Sequence, residues 1–120
     1  MLPSSHLQPY ETFKQILKEV KDTLFQDTVD REVLRGVVAK LQDYFQNQIL
    51  VLDLTEQDPK LEQQVQAFQV EMNKQLKLLS IDMTFLQAAK QPSTVDQRLN
   101  QASDRLTLLL HYCEALLNQE

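Results

Sequence analysis

A chain of 120 residues with a single glycine has few ways to build a β-sheet. Tight hairpins need residues at positive φ, which glycine supplies most cheaply, and neither Asn-Gly nor Asp-Gly occurs. Glutamine is abundant, and leucine, glutamate, lysine and alanine add further good helix formers. An all-α chain is the economical expectation. Its apolar content of 42%, with 24% charged residues, is enough for one core without a metal or disulfide staple.

Spacing divides the chain into four amphipathic segments. The first is expected to open near Pro9, favoured in a first helical turn, after a flexible tail over 1–8. Tyr10, Phe13, Leu17, Val20 and Leu24 then recur at steps of three and four, and the helix ends around Asp27-Thr28. Asp27, Thr28 or Asp30 caps the second helix, whose stripe is Leu34, Val38, Leu41, Phe45, Ile49 and Leu52, widened by Val33, Val37 and Tyr44. Gly36 inside it costs about 1 kcal/mol relative to alanine, which close approach of a neighbouring helix would explain. Asp58-Pro59 starts a third helix reaching about Lys90, roughly 45 Å long at 1.5 Å per residue. Leu61, Val65, Phe68 and Met72 make its narrow first seam. Leu76, Leu79, Met83 and Leu86, flanked by Leu78, Ile81 and Phe85, make a wider second half that calls for several covering neighbours. Pro92 stops that helix, and Ser93 or Thr94 caps the fourth, with Asp96 near its positive end. Val95, Leu99, Ala102, Leu106, Leu109, Cys113 and Leu116 then alternate steps of four and three, the pattern of left-handed packing.

Short connections between four such segments imply a four-helix antiparallel up-down bundle, with a short first and a long third helix, forming one domain over 9–118. Self-association through helix four, giving a homodimer or scaffold subunit, is the rival use of its seam.

A net charge of −5, with basic residues dispersed among acids, argues against nucleic acid and anionic lipid. The lone Cys113 suits a reducing compartment. The opening MLPSSHLQPYETF lacks a signal-peptide pattern, and the longest apolar run, ILVL at 49–52, is far too short to span a membrane. A cytoplasmic protein is expected.

Nothing in the residues assembles a catalytic or metal site. His6 falls in the expected tail. His111 precedes Glu114 in a single His-x-x-Glu, whereas a di-metal bundle needs Glu-x-x-His on two helices. Cys113 lies in a packing seam, the serines lack a nucleophile-elbow context, and one glycine cannot make a phosphate loop. No cofactor and no enzyme activity are expected. The one opening for an enzyme or ligand-binding bundle is Arg98 and Arg105, seven apart on one flank of helix four, where Asp82 and Asp104 are candidate partners.

Several features lie between Leu76 and Leu117: Asp82, Phe85-Leu86-Gln87-Ala88-Ala89, Gln91-Pro92, Gln97-Arg98-Leu99, Asp104-Arg105-Leu106, Tyr112-Cys113 and Leu116-Leu117. This stretch resembles the cyanobacterial heterocyst frequency control protein PatD family. That resemblance implies a non-enzymatic cytoplasmic regulator of heterocyst frequency and cell division, with the division tubulin FtsZ as partner. It transfers no binding residues. Two surfaces qualify on chemistry alone. One is the corner between helices three and four, with Phe85, Lys90, Gln91, Pro92 and Arg98, rich in the aromatic and arginine chemistry of contact surfaces. The other is surplus apolar surface at Leu50, Val51 and Leu54, expected to lie close to Leu108, Leu110 and Leu117.

Overall fold

The computed structural model describes residues 2–26, 30–55 and 58–118. It contains α1 (Ser4–Thr23), α2 (Arg31–Tyr44), a π-helical turn over Phe45–Ile49, α3 (Pro59–Ala88) and α4 (Pro92–Leu117). Around the bundle the helices neighbour one another in the ring order α1, α2, α3, α4 and back to α1.

Neighbours run antiparallel, as specific contacts show. Arg31 at the start of α2 reaches the end of α3, and Gln42 farther along α2 donates to the Leu76 carbonyl at 3.3 Å. Between α3 and α4, Phe68 meets Tyr112 while Phe85 meets Arg98. On the first pair, Tyr44 donates its hydroxyl to the Pro9 carbonyl at 3.3 Å. The result is a rod of 50 × 22 × 19 Å, whose single core takes side chains from every helix.

The expected stripes supply that core. Tyr10, Phe13, Leu17, Val20 and Leu24 are buried, as are Leu34, Val38, Leu41, Phe45 and Ile49. Val65, Met72, Leu76, Leu79, Met83 and Leu86 join them from α3, and Ala102, Leu106, Leu109, Cys113 and Leu116 from α4. The seven-residue repeat of α4 thus packs into the chain's own core, with Val95 and Leu99 half-buried against it.

Several boundaries differ from the sequence reading. The segment 4–8, expected as tail, is the first part of α1, and Pro9 lies inside the helix. Leu2 and His6 are buried and continue the Tyr10 stripe, so their packing offsets the hydrogen bond that proline cannot donate. Consequently α1 has 20 residues, against 14 for α2 and 30 for α3. Of the three candidate caps, Asp30 serves α2, its Oδ1 accepting from Glu32 N–H at 2.9 Å; Asp27 and Thr28 lie outside the described residues. Asp58 caps α3 by accepting from Lys60 N–H at 3.2 Å. Pro92 does not merely stop α3 but occupies the first turn of α4, preceded by Gln91, so neither Ser93 nor Thr94 is the cap.

Two packing expectations are corrected. Val33 does not widen the core but is 54% exposed. Gly36 is exposed, and a Cβ added there would meet nothing within 4 Å, so no neighbouring helix requires it. Gly36→Ala is therefore expected to stabilise the fold by about 1 kcal/mol. A urea midpoint that stays put or falls would contradict this.

The π turn explains a detail of α2. Leu50 N–H donates to the Phe45 carbonyl at 2.9 Å, the wide i to i+5 closure of such turns. Phe45 and Ile49 both stay in the core while Gln46, Asn47 and Gln48 remain exposed.

Candidate partner-binding face on helices three and four

The outer seam between α3 and α4 carries the chain's concentrated polar chemistry. Asp82 faces α4 from the flank of the α3 stripe and is only 1% exposed. A buried carboxylate must be paired, because the interior cannot replace its hydration. Arg105 donates its Nε–H to Asp82 Oδ2 at 2.5 Å, and Arg98 Nη1 lies 3.7 Å from Oδ1. Among the described residues both ion pairs converge on this one carboxylate. Asp104, the other candidate, is solvent-exposed and takes no part. The arginines are neither deep in the core nor free on the surface, with side chains 27% and 25% exposed.

Arg98 is fixed further. Its guanidinium lies 4.3 Å from the centroid of the Phe85 ring, within cation–π range, and Nη1 donates to Gln101 Oε1 at 3.2 Å. Phe85 is 50% exposed, and Ile81, one turn away on α3, is also exposed. The breadth of apolar residues on this half of α3 therefore does not reflect cover by several neighbours. Asp82, Phe85 and Arg98 come together as a cluster. Lys90, Gln91 and Pro92 are exposed on the adjoining connection and first turn of α4, outside the contacts that define it.

The seam continues toward the other end. Arg98, Arg105 and Tyr112 are seven apart and so lie along one line of α4. Tyr112 meets Phe68 edge to face, centroids 5.8 Å apart, over a shallow recess of about 320 Å³ lined also by Ala67 and Glu71. Leu108 is exposed between Arg105 and Tyr112. Ile81, Phe68 and Tyr112 belong to neither surface expected from the sequence, and Leu108, expected beside Leu50, lies here instead. The seven-residue spacing of Arg98 could have led to Tyr112, had the flank of the repeat been followed as well as its seam.

The second sequence candidate is a different place from the one expected. Leu50 and Val51 are 43% and 66% exposed, and Leu54 is half-buried against the core. Because α2 and α4 are not ring neighbours, Leu50 does not join the α4 residues named with it. It borders a shallow groove with Val70, Gln66, Gln69 and Asn73 of α3. Leu110 is buried and Leu117 half-buried against the core.

Tyr10 accepts from Gln69 Nε2 at 3.1 Å within the core. Burial is the main reason its phenol is pushed up, with the Gln69 bond acting the other way. Burial likewise pushes the Cys113 thiol up from 9.0 to about 12, with nearby Lys14 opposing. The folded chain holds these protons where the unfolded chain releases them. The stability they confer is therefore complete below about 9 and is lost as pH climbs from there toward 12. Two outcomes are expected: a urea midpoint that falls above pH ~9, and native thiol alkylation on the order of a thousandfold slower than in the unfolded chain. Rapid native labelling at neutral pH would refute the burial. His6 is buried on α1, not solvated in a tail, and His111 is exposed. Among the described residues no group of three or more His, Cys, Asp or Glu side chains is placed to hold a metal, and no helix is long and apolar enough to cross a membrane.

The fold and this face define an all-α four-helix bundle with a pre-organised arginine–aromatic seam. The family model of the CRR41 C-terminal domain matches residues 12–109, and the chain belongs to that family. No curated protein and no solved structure matches it. The family assignment overturns the resemblance to PatD: the motifs that suggested it are confined to α3 and α4, whereas the matched family spans most of the bundle. The FtsZ partner and the roles in division and heterocyst frequency came only through that resemblance, and they lose their support with it.

Proposed function

We propose that this domain is a non-enzymatic module that binds another protein through the outer α3–α4 face. One observation carries the reading: Phe85, half in solvent, lies beneath a guanidinium that is itself held by a buried carboxylate. Aromatic and arginine side chains dominate the energetics of protein interfaces, and fixing them beforehand lowers the entropy lost on binding. The rival reading, a small enzyme or ligand-binding bundle using Arg98 and Arg105, is less well supported. Asp82 already occupies the place between them that a bound dianion would take.

Site-specific photocrosslinking in the organism that encodes the chain tests this. A benzoylphenylalanine at position 85 is expected to give a discrete protein adduct, and one at Val33, equally exposed on α2, is not. No adduct at 85, or the same pattern at both positions, would overturn the assignment.

A further inference from the structure

We infer that the α3–α4 seam receives an acidic amphipathic helix of its partner, with a carboxylate on the guanidinium nitrogens of Arg98 and Arg105 that Asp82 leaves open, and apolar side chains on Phe85 and near Phe68–Tyr112. This rests on the reading of that face as partner-binding and adds the chemistry of what binds.

Charge points to an acidic occupant. Two guanidinium groups share one carboxylate, so the cluster keeps a positive charge although the chain carries −5. Among the described residues Arg105 pairs only through its Nε–H, which leaves its two outer nitrogens without a partner on the α3–α4 surface. Lys74, Lys77 and Lys90 of the same stretch are exposed. From Glu71 to Arg105 there are five basic residues against four acidic, and one of those four is the buried Asp82. The excess negative charge therefore sits elsewhere on the bundle. A basic or neutral segment would leave the outer guanidinium donors uncompensated as it excluded water from them, whereas a carboxylate would satisfy them.

Shape points to a helix. The aromatic contacts lie at the two ends of the line from Arg98 to Tyr112, roughly 21 Å apart at 1.5 Å per residue. Arg105 lies between them, and Ile81 and Leu108 are exposed alongside. About four turns of helix span that length, and apolar anchors one to two turns apart are how a helix engages a groove.

The experiment titrates the full chain into a labelled 16-residue amphipathic peptide with a leucine stripe flanked by glutamates, a matched peptide with lysines in their place, and a proline-broken acidic peptide. The acidic helix is expected to saturate, to bind at least tenfold tighter than either control, and to weaken as salt rises. Phe85→Ser and Arg98→Gln, both at partly exposed positions, are each expected to weaken it at least fivefold with unchanged circular dichroism, while Val51→Ser leaves it unaltered. No saturable binding, equal binding of acidic and basic peptides, or indifference to both seam variants overturns the inference. So does sedimentation showing a dimer that Phe85→Ser dissolves, or capture of the chain by anionic vesicles in place of the peptide. A discrete adduct at position 85 whose crosslinked segment is basic or neutral would refute the chemistry while leaving the binding function standing. Absence of any adduct would strike the function itself.

Discussion

Phe13→Ala is expected to cost about 4 kcal/mol, which is a large part of the stability of a domain this size and lowers Tm by roughly 15 °C. Phe13 is completely buried on α1, and its ring lies between two others. It stacks nearly parallel on Tyr44 at 6.1 Å and tilts against Phe45 at 5.7 Å. Both partners come from the end of α2 and the start of the π turn, so the cluster clamps α1 onto α2. Truncation leaves a cavity lined by two large rings on rigid helices, which cannot collapse to fill it. Phe85→Ala provides the contrast. It removes the same atoms from a half-exposed site and should cost below about 1 kcal/mol. Urea unfolding of the two variants makes the comparison, and equal losses would mean that the burial pattern is wrong.

Arg105→Ala is expected to cost about 3 kcal/mol, the lower end of what breaking a buried ion pair costs. The loss arises from the partner left behind, since Asp82 has almost no access to water. Arg98 stays nearby, and the arginine itself is a quarter exposed, which keeps the effect from being larger. Arg98→Ala should cost less than about 1 kcal/mol, because its charge contact is longer and the rim screens it. Equal effects of the two substitutions would show that Asp82 does not distinguish them.

The bundle was legible in the sequence because burial imposes a period, and every helix carries a stripe at steps of three and four. The α3 start was legible for a different reason: Asp58 is a short acceptor placed just before a helical run, whereas before α2 three such acceptors stand close together and only the fold singles out Asp30. The start of α1 was not. Proline is suited to a first turn and tolerable deeper in only when packing compensates, and that compensation comes from Leu2 and His6, whose burial no local rule reveals. The surroundings of Gly36 are not legible in the sequence, because absence of a side chain is equally consistent with a close neighbour and with open solvent.

At the site, Asp82 was recognisable as a candidate partner of both arginines from its helical position, and Phe85 with Arg98 from their chemistry. Which acid would be chosen depends on the rotation of α3 against α4, a property of the packed pair. The same rotation carries Phe68 to Tyr112. The displacement of Leu50 from α4 follows from ring order, which spacing along the chain does not encode.

Arg31 stands at the first residue of α2, and its guanidinium donates to the carbonyls of Leu86 and Ala89 at 2.9 and 2.7 Å. Those oxygens belong to the last turn of α3 and the residue after it, where a helix runs out of its own donors. One cation thus closes a helix end contributed by a distant part of the chain and complements its negative pole. Unwinding at that corner becomes a joint event: α3 cannot shed its final turn without also releasing the beginning of α2. The Phe85 side of the bundle is accordingly anchored from behind, and a partner meets a surface that has little freedom left to lose.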